Sequence, residues 1–178
     1  MSKKTLLKSE LIGMGISIAL SFLLHFIFDI TAGSMVAAVF GSVNESVWEH
    51  LKILVFAYLI WIPVGLFISK ASFKRYLVAK TFGALFIMIS TTAFFYIYSG
   101  ILGKAVLWVD ITIAVVVMIL AYLLSAKLIA SNADLESLFI ISIFVLVLLI
   151  AAFLCFTPNP PRIGIFRDPN GFYGIPSA

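Results

Sequence analysis

The chain has 178 residues, of which 63% are hydrophobic and only 11% are charged. A soluble domain carries about a quarter charged residues, so this composition excludes that class and indicates an integral membrane protein. The net charge of +4 comes from short basic clusters between apolar runs, where lysine and arginine act as topology signals. The expected partner is therefore the lipid bilayer, and no nucleic-acid partner is expected.

The apolar runs predict an all-α membrane protein with five transmembrane helices, because a bilayer requires roughly 20 apolar residues per helix. The predicted spans cover about residues 11–30, 43–69, 81–101, 105–126 and 137–156, and together with residues 31–42 they form one membrane domain, 1–156. The first run exceeds the about 7–15 apolar residues of a cleavable signal, so it is interpreted as a retained span. Residues 31–42 are too few to cross and too apolar for a free loop, which predicts an interfacial or re-entrant segment.

Residues 157–178 form a tail of different character. The segment Asn159-Pro160-Pro161 should be stiff and extended. Further along, Asp168-Pro169-Asn170-Gly171 places proline and glycine at turn positions between two short apolar stretches, which predicts a β-hairpin. An isolated hairpin is marginal in water, so we expect the tail to rest on the bundle through contacts of Arg162, Arg167 and Asp168, with an arginine paired to an acid.

The distribution of lysine and arginine predicts a cytoplasmic N-terminus and an extracytoplasmic tail. Five spans place eight basic residues in the cytoplasm, namely Lys3, Lys4, Lys8, Lys70, Lys74, Arg75, Lys80 and Lys127. Four lie on the other side, namely Lys52, Lys104, Arg162 and Arg167. In this orientation the end of the first span, the starts of the second and fourth spans, and the tail share one outer layer.

Ionisable side chains concentrate in that layer. In the first span Ser17, Ser21, His25 and Asp29 recur at every fourth position, which is one helical stripe that should face the bundle interior. The second helix should begin near residue 43, since Ser42 with Glu45 and Ser46 with Glu49 each fit a capping box. Ionisable groups in membrane spans are costly and therefore indicate a functional site. The candidates for ligand binding or proton relay are His25, Asp29, Asn44, Glu45, Glu49, His50 and Asp110.

Three interpretations fit these residues, and binding or transport is the function that the sequence favours. An outward-facing ionisable cavity can bind or transport a small solute or ion, and five spans then favour a homodimer or partner membrane proteins. Alternatively, the protein is a membrane-embedded hydrolase acting on lipid or peptide, with a divalent metal such as zinc as cofactor. The possible metal ligands are His25, Asp29, Glu45, Glu49 and His50. The third possibility is a purely structural polar cluster, and no residue is assigned as catalytic.

The segment Val43-Asn44-Glu45-Ser46-Val47-Trp48-Glu49-His50-Leu51-Lys52 resembles the signature of a family of small bacterial integral membrane proteins known only as a domain of unknown function. The segments Tyr98-Ser99-Gly100-Ile101-Leu102-Gly103, Asn159-Pro160-Pro161 and Phe166-Arg167-Asp168-Pro169 also resemble that family, so the resemblance covers nearly the whole chain. It implies a multi-span helical fold in a bacterial cell membrane. It implies no established activity.

Overall fold

A computed structural model describes residues 2–176. Within this range the chain forms seven α-helices and two short 3-10 turns, and it contains no β-strand. The helices are α1 Lys3–Ile30, α2 Met35–Phe40, α3 Val47–Ile60, α4 Ile62–Ser69, α5 Phe73–Leu102, α6 Leu107–Ala130 and α7 Phe139–Phe156. Five helical segments, with α3 and α4 taken together, are long and apolar enough to cross a membrane. The predicted all-α class with five such helices is confirmed, and it is consistent with a multi-pass membrane protein.

Helix α3 lies at the centre of the bundle. In its most apolar stretch the α3–α4 span has 56% of its residues buried, against 6–28% in the other four spans. Leu51, Val55 and Tyr58 are completely buried, and α1 and α5 pack on either side of them. Hydropathy alone does not explain this place, because the last span has a higher mean hydropathy (3.3 against 2.3) and is only 17% buried. Glu49 and Lys52 of α3 are buried, and ionisable groups in a membrane span face the bundle interior rather than lipid.

The second span is divided at Trp61, which lies between α3 and α4. Pro63 occupies the first turn of α4, where its missing N–H costs no helical hydrogen bond. The Trp61 indole packs between Gly13 and Gly65, where a Cβ atom at either glycine would come within 2.6 Å of the indole nitrogen. The two glycines thus permit a close approach of α1 and α4.

Helix α3 begins at Val47 rather than near residue 43. Residues 42–46 form a compact turn instead, in which the Ser42 hydroxyl donates to the Asn44 carbonyl at 2.6 Å and the Ser46 N–H donates to Asn44 Oδ1 at 2.8 Å. Such local side-chain bonds compete with helix formation. Ser46 is the N-cap and accepts from the Glu49 N–H at 3.4 Å. Glu45 therefore precedes the helix and does not share a helical stripe with Glu49.

The prediction of a β-hairpin tail is wrong. The only pairing among the described tail residues is one isolated antiparallel bridge between Arg167 and Tyr173, and the 3-10 turn Gly164–Phe166 replaces a first strand. The turn itself does form, since the Gly171 N–H donates to the Asp168 carbonyl at 2.8 Å. Phe166 is buried against the bundle, with its ring centroid 4.8 Å from that of Trp48. Anchoring of the tail by buried side chains therefore takes the place of strand pairing.

Candidate functional site

Three side chains meet where α1 ends and α3 begins. Nε2 of His25 lies 3.2 Å from Nε2 of His50. Oε2 of Glu45 lies 3.6 Å from the first of these atoms and 3.5 Å from the second. Within residues 2–176 this is the one group of histidine, cysteine and acidic side chains whose geometry can hold a metal ion.

The triangle of donor atoms has the dimensions of a metal site. In a tetrahedral zinc site with bonds of about 2.0–2.2 Å, neighbouring ligand atoms are about 3.3–3.6 Å apart. Of the observed separations, 3.5 and 3.6 Å lie within that range and 3.2 Å lies just below it. Three protein ligands also leave a fourth position for water or substrate, as in catalytic zinc sites.

Hydrogen bonds position two of the three residues, His50 through its side chain and Glu45 through its backbone N–H. Nδ1 of His50 lies 2.8 Å from the Ser46 carbonyl oxygen, an acceptor that favours a proton on Nδ1 and leaves the Nε2 lone pair free. The Glu45 N–H donates to Oδ2 of Asp168 at 2.9 Å. His25 Nδ1 is buried and has no hydrogen-bond partner among the described residues.

The Glu45 carboxyl is suited to act as an anionic ligand. Its side chain is 57% exposed. Hydrogen bonding by His25, with a smaller contribution from the charge that His50 can carry, holds the pKa of this carboxyl below its usual range against the opposing effect of burial. Glu45 is therefore ionised at neutral pH.

The tail fixes the turn that carries Glu45. Asp168 is 2% exposed although it is acidic, because its carboxylate accepts the N–H groups of Glu45 and Asn170. Asn44 donates from Nδ2 to the Gly174 carbonyl at 2.8 Å. The role of Asn44 is thus to join the turn and the tail. Arg162 and Arg167 are exposed, and the expected arginine–acid pair is not found among the described residues.

A cavity of about 490 Å³ begins at the three side chains and runs between α1, α3, α5 and α6. Its wall is almost wholly apolar. Apart from the His25–Glu45–His50 cluster, its polar side chains are Ser21, Thr91 and Asp110. The Asp110 carboxylate accepts a short hydrogen bond from the Tyr98 hydroxyl, so it lines the cavity with one oxygen already engaged.

Two of the predicted metal ligands lie outside the cluster. Asp29 is exposed and forms no side-chain hydrogen bond or ion pair with the described residues. Glu49 is 2% exposed and accepts from Lys52 Nζ at 2.6 Å, from the Thr157 hydroxyl at 2.9 Å and from the Val43 N–H at 3.1 Å. The late start of α3 separates Glu45 from Glu49, and the candidate ligand set is reduced to His25, Glu45 and His50.

A second buried polar cluster has no counterpart in the sequence analysis. Oε2 of Glu10 accepts from Lys80 Nζ at 2.6 Å and from the Ser125 hydroxyl at 2.8 Å, and Oε1 accepts from the Tyr76 hydroxyl at 2.7 Å. The Lys80 ammonium also lies 4.0 Å from the centroid of the Tyr122 ring. Glu10 continues the stripe of Ser17, Ser21 and His25 toward the N-terminus at helical spacing, and that spacing is the signal by which it could have been found.

The comparisons with known proteins give one match. A model described as a family of unknown function, DUF6512, matches residues 1–175 and so covers the whole bundle, the cluster and nearly all of the tail. Neither the curated proteins nor the solved structures yield a match.

Proposed function

Because this chain belongs to DUF6512, a family of unknown function, we propose its function from the site itself: a membrane-embedded, metal-dependent hydrolase. His25, Glu45 and His50 would hold a divalent metal such as zinc. The observation that carries the proposal is the triangle of Nε2, Nε2 and Oε2 atoms at 3.2–3.6 Å, placed at the end of an apolar cavity. Two histidines and a glutamate are also the ligand set of several zinc hydrolases.

In the proposed reaction the cluster would bind the metal ion and the cavity would bind the apolar part of the substrate. A divalent ion held by His25, Glu45 and His50 would activate water and polarise a carbonyl group. The Ser46 carbonyl keeps His50 Nε2 free to coordinate, and Asp168 keeps Glu45 in place. In the reaction a water oxygen would bond to the carbonyl carbon, the bond to the leaving oxygen or nitrogen would break, and the leaving group would take up the proton that the water loses. The apolar wall excludes other water and receives the apolar part of the substrate.

Elemental analysis of protein purified in mild detergent tests the metal site. The wild type, after incubation with zinc and removal of free metal, should retain about one ion per chain. Glu45→Gln and His50→Ala should each lose it while keeping the helical circular dichroism of the wild type. Asp29→Asn is the matched control, because Asp29 is an exposed acid on the same end of the bundle, and it should bind zinc normally. Folded wild-type protein that retains no metal ion after separate incubations with zinc, manganese and cobalt would refute the proposal.

Binding or transport of a small solute or ion is the second candidate. The observation that favours it is the 3.2 Å separation of the two imidazole nitrogens, which is also a hydrogen-bond distance, so that without a metal the histidines can share a proton. Metal-free protein in liposomes should then support a proton or ion flux that His50→Ala abolishes. The hydrolase predicts no such flux and instead predicts ester or amide hydrolysis that depends on added metal.

A further inference from the structure

We propose that the cavity binds the acyl chain of a single-chain lipid taken up from the bilayer, with the ester or amide carbonyl of that lipid at the His25–Glu45–His50 cluster. This inference rests on the proposed function, because it names the substrate class of the same site. Four observations support it: the length of the cavity, its polarity, its border on the outer surface and an unpaired hydroxyl in its wall.

The cavity is elongated along the helix axes. On α1 its wall extends from His25 to Ile18, and on α6 from Asp110 to Met118. At 1.5 Å per residue these stretches measure about 10–12 Å. The polar end carries the cluster, and the inner end is formed by apolar side chains such as Leu54 and Met118. A slot with one polar end and apolar walls is complementary to an extended chain with one polar head.

The cavity borders the outer apolar surface of the bundle. Phe22, Phe26 and Leu107 line it, yet their exposed fractions are 43%, 54% and 67%. All three belong to helices long and apolar enough to cross a membrane. A lipid chain can therefore enter sideways between these side chains, without passing through water.

Thr91 supplies the observation that points most directly to a ligand. Its side chain lines the cavity, it is 8% exposed, and its hydroxyl has no partner among the described residues. A threonine in a helix can satisfy its hydroxyl on the carbonyl four residues back, and both Thr81 and Thr112 do so, at 2.9 and 2.7 Å. The free Thr91 donor is therefore available for an oxygen atom of the bound lipid.

Photo-crosslinking in nanodiscs tests this inference. The probe is a medium-chain fatty acid short enough for a slot of about 10–12 Å, with a diazirine near its methyl end; its carboxylate is the group that hydrolysis would produce. In zinc-treated wild-type protein the label should map to the inner wall at Leu54 and Met118, and an excess of the same fatty acid without the diazirine should remove it. Butyrate should compete far less, since each missing methylene group lowers the affinity about fourfold.

Variants of the cavity wall provide the matched comparison. Ala114→Trp fills the cavity and should abolish the inner-wall label, whereas Val116→Trp introduces the same side chain on the outer face of α6 and should leave the label intact. If Ala114→Trp fails to fold, Ala114→Leu serves as the milder filler. Thr91→Val keeps the volume and removes the hydroxyl, and it should weaken labelling by about 2- to 10-fold.

The outcomes separate this inference from the proposed function. A label spread over the outer faces of α1 and α6, and unchanged by Ala114→Trp, would overturn the acyl-chain site. Inner-wall labelling in a protein that fails the zinc-retention test would uphold the chain site and refute the hydrolase. Zinc retention without inner-wall labelling would refute the acyl-chain site and leave the metal site of the proposed hydrolase standing.

Discussion

At the scale of single residues, Glu45 and Glu49 show how one helix start assigns different roles to two similar acids. Glu49 follows the N-cap and is buried with Lys52, so its loss leaves an uncompensated buried ammonium. We expect Glu49→Gln to lower the free energy of unfolding by about 3–5 kcal/mol. Glu45 is more than half exposed, so Glu45→Gln should change the free energy of unfolding by no more than about 0.5 kcal/mol.

Thermal unfolding of both variants in the same detergent measures this difference. Asp29→Asn again serves as the control for removal of an exposed carboxylate. Equal destabilisation by Glu45→Gln and Glu49→Gln would mean that the histidine cluster is itself a structural element, as the third interpretation of the sequence holds.

The Glu10–Lys80 pair gives a second test at this scale. Either Glu10→Gln or Lys80→Met leaves a buried polar group without its main partner, and each should destabilise by about 3–5 kcal/mol. The double variant removes both charges, and its loss of unfolding free energy should be clearly smaller than the sum of the losses in the two single variants. A double-mutant cycle of unfolding free energies measures the coupling, and additive losses would contradict the pairing at 2.6 Å.

Glu10 also shows where sequence reasoning stops at the residue scale. Hydropathy assigns it to the end preceding the first span and assigns Lys80 to a cytoplasmic connector. Both assignments treat the two residues as exposed because they are charged. In the structure Glu10 and Lys80 are almost completely buried, because they form an ion pair between α1 and α5. A partner 70 positions away is not visible in local composition.

At the scale of elements, α1 contains two glycines in opposite environments. A Cβ atom on Gly13 would lie 2.3 Å from the Trp61 indole nitrogen, whereas nothing lies within 4 Å of a Cβ on Gly15. Gly13→Ala should therefore push α1 away from α4 and cost about 1–3 kcal/mol. Gly15→Ala should be neutral or slightly stabilising, because alanine is the better helix former.

Unfolding temperatures of the two alanine variants, measured side by side, test the close approach. The pair is well matched, since the substitution is the same and the sites are two positions apart on one helix. A similar unfolding temperature for both variants would show that α1 and α4 do not pack through Gly13.

The tail is the element that connects fold and site. Asp168→Ala removes the acceptor of the Glu45 N–H, and we expect zinc affinity to fall by about 10- to 100-fold, as for other residues that orient metal ligands. Asp168→Asn keeps an acceptor oxygen and should lose much less. Competition with a chelating dye measures the two affinities. Wild-type affinity in Asp168→Ala would show that the tail does not position Glu45.

The turn in this tail was predictable and its pairing was not. Asp168 and Gly171 form the expected turn, because proline and glycine fit its corners. The flanking residues do not form strands, because Phe166 is buried beside Trp48 and Asp168 bonds to the turn before α3. Those contacts are with residues more than 100 positions away, which local pattern cannot supply.

At the scale of the whole molecule, the orientation in the membrane stays a prediction, and the structure shows which basic residues should be counted for it. Lys52 and Lys80 are buried in ion pairs, so neither acts as a loop charge. Removing one residue from each side leaves seven basic residues against three, and the bias still favours a cytoplasmic N-terminus. A C-terminal fluorescent reporter that matures only in the cytoplasm should therefore stay dark, whereas an N-terminal one should fluoresce. Fluorescence from the C-terminal fusion would reverse the orientation.

The helical bundle is the part of the fold that sequence predicts best, since length and hydropathy determine which segments can cross a bilayer. The gathering of His25, Glu45, His50 and Asp110 around one cavity follows from consecutive spans running in opposite directions. Which carboxylate joins the histidines depends on the turn at 42–46, and the cavity itself depends on side-chain packing between four helices. Neither property is local, and so neither could be predicted.

The burial of Glu10 against Lys80 has a consequence for biogenesis. Seventy positions separate the two residues, so at about 5–20 residues per second the ribosome needs about 4–14 s after Glu10 to reach Lys80. During that time the Glu10 carboxyl lacks Lys80, its partner in the folded bundle. Release of α1 into lipid as an isolated helix would expose that group to hydrocarbon. The first helix should therefore stay with the insertion machinery until α5 emerges, which would make assembly of this bundle a concerted event rather than a sequential one.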